Sequence, residues 1–383
     1  MNELSGMKLP EEELRFARGI SGRIKEKMAW VEEKNRGRIP YTTGEDGSYD
    51  DRRADLCWWT NGFWGGLMWQ LYTATGQEAF RRSAEWLEEQ LDACIPDVYG
   101  LHHDVGFMWM PTAVADYRLT GNADARRRGL LAAQLLAGRF NPAGDFIRAW
   151  NDLPEEDTAG WAIIDCMMNL TLLYWASKET GDPRYRHIAM RHADTAQRAF
   201  VREDGSVNHI VEFDPETGKV LRSLGGQGFG EGSAWTRGQA WAIYGFTLSY
   251  LHTGKTAYLE TAKKAASFFL SCLGEDGLVP VDFRQPGQPA LEDSCAAAVA
   301  ASGLIELSRA MDGLTSQQYL DGALLLLHTL CEKRCSWGRE CDAMVQNCTA
   351  AYHSPDRHIT MVYADYYLTE AIFKLTGEGF FLW

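Results

Sequence analysis

The chain lacks an excess of positive charge: 383 residues carry 52 acidic against 38 basic side chains, a formal charge of −14. Such a surface repels phosphate backbones and anionic headgroups, so neither nucleic acid nor membrane is an expected partner. Long apolar runs are also missing, which excludes a transmembrane helix. No basic start followed by an apolar stretch precedes the first helical pattern near Pro10, so no signal peptide is read. Cysteine is sparse. The nine thiols are scattered through helical stretches, and Cys331, Cys335, Cys341 and Cys348 lack the paired spacing of a zinc site. An odd number of thiols points to a reducing, cytoplasmic setting, and no metal or cofactor is expected. The sequons at Asn169 and Asn347 are accordingly read as chance matches. Composition carries no reading of oligomeric state.

What is present is a large supply of core residues, 45% of the chain, including 14 tryptophans. Most of these indoles are read as core, although aromatic faces also suit sugar rings. The chain is taken as a single unit over 1–383, organised by a repeat. A helix-ending signature closes at Thr75-Gly76, Thr120-Gly121, Thr180-Gly181 and Thr253-Gly254, with weaker copies at Asp312-Gly313 and Thr376-Gly377. Glycine just past a helix supplies a left-handed cap, so each copy marks one helix stopping and the chain turning back. The intervals leave room for two helices and a loop, six times over.

The stretches ending at the glycines, such as Trp161 to Thr180 and Ala234 to Thr253, are apolar nearly all round and predict buried inner helices. Those that follow are amphipathic: Lys255 to Cys272 sets Tyr258, Ala262, Ala265, Ala266 and Phe269 against a polar face. The expected fold is all-α, an (α/α)6 barrel of six inner and six outer helices. The last inner helix, near Thr360 to Leu375, closes on the first outer one, with Phe380-Phe381-Leu382-Trp383 docked. The long segments precede the inner helices and gather on one rim, where binding and catalysis are expected. One of them predicts a small β-hairpin, Ser206 to Phe213 and Lys219 to Ser223 around Asp214-Pro215-Glu216-Thr217-Gly218.

Counting back from the capping glycines, Asp165 lies 16 residues before Gly181, while Asp104, Arg237 and Trp59 each lie 17 before theirs. Equal offsets on parallel helices predict one depth at the loop-rich rim, and a pocket with two carboxylates, a guanidinium and an indole. Pro111 suggests that the second inner helix starts late and leaves Asp104 in the turn before it. An acid at a helix start is ordinarily a cap, but the dipole favours its ionised form by only about 0.3–1 kcal/mol. Burial of Asp165 inside an apolar helix, beside Ile163, Ile164 and Met168 and near a second carboxylate, opposes ionisation more strongly. One acid is therefore expected to stay protonated near neutrality, as a general acid must. His209, in a predicted strand, is open to both a structural and a site role. Arg237, in Trp235-Thr236-Arg237-Gly238-Gln239-Ala240-Trp241, suits bidentate capture of a carboxylate, with Gln227 donating to the same group.

His103-Asp104-Val105-Gly106-Phe107, Ile164-Asp165-Cys166-Met167-Met168-Asn169, Asn208-His209, the Phe213 to Gly218 turn and the Trp235 to Trp241 segment together resemble the unsaturated glucuronyl hydrolases, glycoside hydrolase family 88. The resemblance spans nearly the whole chain. It implies an (α/α)6 barrel acting on the Δ4,5-unsaturated uronic acid that polysaccharide lyases leave at the non-reducing end, so the implied partners are unsaturated uronic-acid disaccharides. It further implies that Asp165 is the general acid/base and Asp104 its partner. His209, Gln227, Arg237, Trp58, Trp150, Trp235 and Trp241 match substrate contacts, and His103 stands beside Asp104 in the motif. Trp59 comes from the depth count and Trp58 from the motif. Ser354, Arg357 and His358, in the last rim loop, are read as reaching the sugar beyond the uronate, with Asp356 weighing against a strong anion site. The unsaturated rhamnogalacturonyl hydrolases, similar in fold and chemistry, and a non-catalytic sugar-binding barrel are the alternative readings.

Overall fold

The computed structural model describes residues 9–151, 153 and 156–383. Among them, six outer helices are α1 (Glu11–Asn35), α3 (Glu78–Leu91), α6 (Ala123–Gly138), α8 (Pro183–Ala199), α10 (Thr256–Ser271) and α12 (Leu314–Thr329). The inner ones are α2 (Asn61–Thr75), α4 (Val105–Trp109) continued by α5 (Ala115–Thr120), α7 (Cys166–Thr180), α9 (Thr236–Thr253), α11 (Ser294–Arg309) and α13 (Val362–Thr376). Each inner element packs on the next, from α2 to α4, α7, α9, α11 and α13, and α13 returns to α2 while also resting on α1. This is an (α/α)6 barrel. No helix among the described residues is long and apolar enough to cross a membrane.

The two layers follow from residue character. Helix α7 buries every residue from Cys166 to Ala176, and α9 every residue from Thr236 to Ser249, since neither has a polar side to turn outward. Helix α10 buries the predicted stripe of Tyr258, Ala262, Ala265, Ala266 and Phe269. Five of the six glycine signatures end inner helices in the left-handed conformation, at Gly76, Gly121, Gly181, Gly254 and Gly377. The sixth does not: α11 stops at Arg309 on a right-handed Ala310, and Gly313 precedes α12 instead. Trp383 and Leu382 are buried, and Arg118 donates to the carbonyls of Leu382 and Phe381.

Three further expectations need correction. Trp161–Ile163 is a strand, because Gly160 and three apolar residues pair with the neighbouring rim segment before the helix begins at Cys166. Asp165 therefore sits at the N-cap of α7 rather than inside it. The hairpin is narrower than predicted, Ile210–Phe213 with Val220–Leu224, and Trp161–Ile163 joins it as the outer strand of a three-stranded antiparallel sheet. Pro111 does not delay the second inner helix. The helix starts at Val105 and absorbs the missing N–H in a π turn, Met110–Val114, while Asp104 stands just outside it at the N-cap position.

A close approach between two inner helices fixes the depth of the rim. A Cβ on Gly106 would stand 2.5 Å from Asn169 Oδ1 and 2.6 Å from its Cα, so α4 and α7 meet only because position 106 has no side chain. Gly106→Ala should cost about 1–3 kcal/mol by overpacking, read as a lower denaturant midpoint with an unchanged slope. An unchanged midpoint would mean that the two helices separate at no cost.

Candidate active site

Backbone pairing brings the rim residues together. Ile164 N–H donates to the His209 carbonyl at 3.1 Å, which sets the turn carrying Asp165 beside that histidine. His103 N–H donates to the Ala149 carbonyl at 3.1 Å, and Ala149 N–H to that of Trp161 at 2.8 Å, so the segment with Asp104 and the segment with Trp150 hang on the same sheet. Asn169, one turn into α7, joins the two acids. Its Nδ2 lies 3.3 Å from both Asp104 Oδ1 and the Asp165 carbonyl, and its Oδ1 accepts from Phe107 N–H at 2.7 Å. Asn169 is fully buried, which removes it as a glycosylation acceptor.

The acids are held in opposite states. Burial raises the Asp165 carboxyl, the neighbouring Asp104 raises it further, and Arg237 only partly opposes them, so it is pushed up to about 8. Burial also acts on Asp104, but His103, His102 and the Asn169 amide outweigh it and hold the carboxyl below its ordinary range. Asp104 Oδ2 lies 2.9 Å from His102 Nδ1 and 3.4 Å from His103 Nε2. The outcome is an ionised Asp104 behind a protonated Asp165, whose side chain is still 14% exposed.

His209 is neutral, its pKa pushed down to about 3 by burial and then by Arg237 and His103. Its Nδ1 accepts from Gln227 N–H at 3.0 Å, so the ring proton is on Nε2, which faces Asp165 Oδ2 at 3.6 Å. That separation is too long for a hydrogen bond, and neither atom has a partner among the described residues. Gly226 makes this ring position possible: its φ is 57°, and a Cβ there would lie 1.9 Å from His209 Nδ1.

Arg237 is buried and stays charged because Asp293 and other nearby groups outweigh the burial penalty. Its Nη1 donates to Asp293 and to the Thr349 carbonyl, and its Nη2 to Gln227 Oε1 at 3.0 Å and the Ala350 carbonyl at 2.7 Å. The expected bidentate clamp is thus already occupied by protein acceptors, and the guanidinium orients Gln227 instead.

Residues 25–383 match the family model described as Glycosyl Hydrolase Family 88. The chain belongs to this family. It is a glycoside hydrolase, similar over 88% of its length, at 37% identity, to the unsaturated glucuronyl hydrolase of Bacillus sp. (strain GL1), of which it covers 91%. It is 36% identical to the unsaturated chondroitin disaccharide hydrolase of Streptococcus pyogenes serotype M1, across 66% of this chain and 64% of that one. The crystal structure of the unsaturated glucuronyl hydrolase from Streptococcus agalactiae superposes with a TM-score of 0.89 at 28% identity, over 99% of this chain and 96% of that one.

The remaining predicted positions lie at different depths. Trp235 is a buried wall, its ring 4.3 Å from His209 and 4.6 Å from the Arg237 guanidinium. Trp241 is fully buried against Phe107 and Tyr367, deeper in the barrel. Half-buried Trp59 packs on Phe107 and Tyr363. Trp58, also half-buried, packs on Tyr41 with Arg52 over its ring. Trp150 packs on Trp161 at the sheet. The Ser354 hydroxyl accepts from Asp356 N–H, and Arg357 reaches back to the Tyr352 carbonyl, so the last rim loop is tied to itself and, through Tyr352 N–H, to the Gln227 carbonyl.

Asn169 and Asp293 were missed. Asp293 stands at the N-cap of α11 as Asp165 does at that of α7, with its side chain accepting from Cys295 N–H, but α11 has no terminal glycine from which to count. Asn169 stands in the motif as a plain polar residue. Among the described residues, His102, His103 and Asp104 alone offer donor atoms close enough to hold a cation, within 4.8 Å of one another. A cation there would compete with the Asn169 contact for Asp104.

A carboxyl whose pKa rises on folding binds a proton in the native state that the unfolded chain releases above pH 4, so its contribution to stability falls as pH rises from about 4 to 8. Above that window the cost is about 1.4 kcal/mol for each tenfold gain in proton affinity. Asp165→Asn removes the titration, so the variant should match the parent near pH 4 and exceed its stability at pH 8 and above. Urea midpoints that shift in parallel at both pH values would contradict the raised carboxyl.

Proposed function

We propose that this chain hydrolyses Δ4,5-unsaturated glucuronyl disaccharides of the kind lyases release from glycosaminoglycans, by hydrating the C4=C5 enol ether. The observation that carries the reading is the protonated Asp165 beside an ionised Asp104 at the mouth of a family 88 barrel, and the names of its relatives agree with it. Asp165 gives its proton to C4, which leaves an oxocarbenium ion at C5. As carboxylate it then takes a proton from the water that attacks C5, and the hemiketal opens and releases the neighbouring sugar. Asp104 keeps the acid loaded, and Asn169 and His103 hold Asp104. His209 Nε2–H and the Gln227 amide, oriented by Arg237, donate to the uronate. Trp58, Trp59 and Trp150 line the approach, Trp235 and Trp241 back it, and Ser354 and Arg357 meet the distal sugar. The whole chain serves as one catalytic unit, and its unpaired thiols suit a reducing, cytoplasmic setting.

Asp165→Asn keeps the shape but carries no acidic proton, so turnover should fall by at least about 10²–10⁴-fold while disaccharide binding persists. In the parent enzyme, activity should decline as pH rises through about 8, where Asp165 loses its proton. Near-normal turnover of the variant would remove Asp165 from the reaction. The same reaction run in heavy water separates hydration from ordinary glycosidic hydrolysis. Hydration places one deuterium on a single face of C4 as the alkene absorbance disappears. Release of the second sugar before any loss of absorbance would overturn the route.

A further inference from the structure

A large cavity lies at the other end of the barrel. It has a volume of about 1000 Å³ and is lined from the closing turns of all six inner helices, with no residue of the acid pair among its walls. Its charge is unbalanced in a specific way. Lys374 is paired with Glu306 and Glu370, Arg309 with Glu306, and Glu179 with Arg126. Two cations remain. Arg118 donates only to the backbone carbonyls of Phe381 and Leu382, and Lys178 has no hydrogen bond or ion pair among the described residues. Both face His252, which is neutral because burial and these two charges push its pKa down to about 4. Arg118 and Lys178, exposed residues of the cavity lining that have no acid paired with them among the described residues, form a local trap for an anion on a chain whose net charge of −14 repels it elsewhere. Tyr174, Trp175, Phe380 and Phe381 give the recess aromatic lining. Its volume lies at the upper end of the range for small-ligand sites.

We propose that this cavity is a second binding site, separate from the acid pair, for an acidic sugar whose carboxylate or sulfate is held by Lys178 and Arg118 and whose ring lies against the aromatic walls.

The test is calorimetric titration of the full chain and of Lys178→Met with D-glucuronate, galactose 6-sulfate and glucose, with Lys178→Arg as the charge-conserving control. Lys178 is exposed at the end of α7 and outside the catalytic machinery, so turnover and melting temperature should stay at parental values. The site predicts a binding event for an oxyanion-bearing sugar that weakens at least about tenfold in Lys178→Met, is restored by Lys178→Arg and fades with added salt. Loss of glucuronate binding assigns a carboxylate, and loss of galactose 6-sulfate binding a sulfate. Crystals soaked in the sugar that binds should show it between Lys178 and Trp175. Isotherms identical in Lys178→Met and parent, or density confined to the acid-pair rim, would overturn the proposal and leave the catalytic reading untouched.

Discussion

Repulsion between two carboxylates in a water-poor rim is the constraint on which the site depends. In water the pair would both ionise and interact weakly. With the field lines confined to protein, one negative charge makes a second costly, and the proton settles on the acid with fewer compensating donors. Asp104 has the imidazoles of His102 and His103 and the Asn169 amide; Asp165 has only a distant arginine whose donors are committed elsewhere. The asymmetry of partners, more than the burial both acids share, decides which of them is the acid.

The barrel supplies that asymmetry with little help from the loops. Asp104 and Asp165 both stand at the mouths of inner helices, and those helices are forced together at Gly106 and Asn169. The sheet on the rim then adds His209 by backbone pairing alone. Arg237 performs a different service: paired with Asp293 and with carbonyls of the last rim loop, it carries a buried charge that orients Gln227 and depresses His209, keeping the imidazole neutral. Two neutral hydrogen-bond donors and a neutral acid thus gather on one rim.

The layers of the fold were legible in the sequence because inner and outer helices differ in periodicity, a property of single residues. The left-handed caps at Gly76, Gly121, Gly181 and Gly254 anchored the depth count that put Asp104, Asp165 and Arg237 on one level. The count failed where the physics behind it was absent: α11 ends without glycine, so Asp293 had no anchor, and Gly313 misled. Strand Trp161–Ile163 was read as helix because three buried apolar residues look alike in either state, and only their pairing with Ile210–Phe213, some fifty residues on, selects the strand. The partners of Arg237 were equally out of reach, since Thr349 and Ala350 contribute backbone carbonyls, which no residue type announces.

The most direct test of the account is a ¹³C NMR titration of the aspartate carboxyls, with the Asp165 signal assigned by its loss in Asp165→Asn. The account predicts that this carboxyl titrates near 8 and moves down toward the ordinary aspartate range in Asp104→Asn, where the neighbouring charge is gone. An Asp165 carboxyl that titrates near 4 in the parent chain, or one that stays near 8 after Asp104 is neutralised, would contradict it.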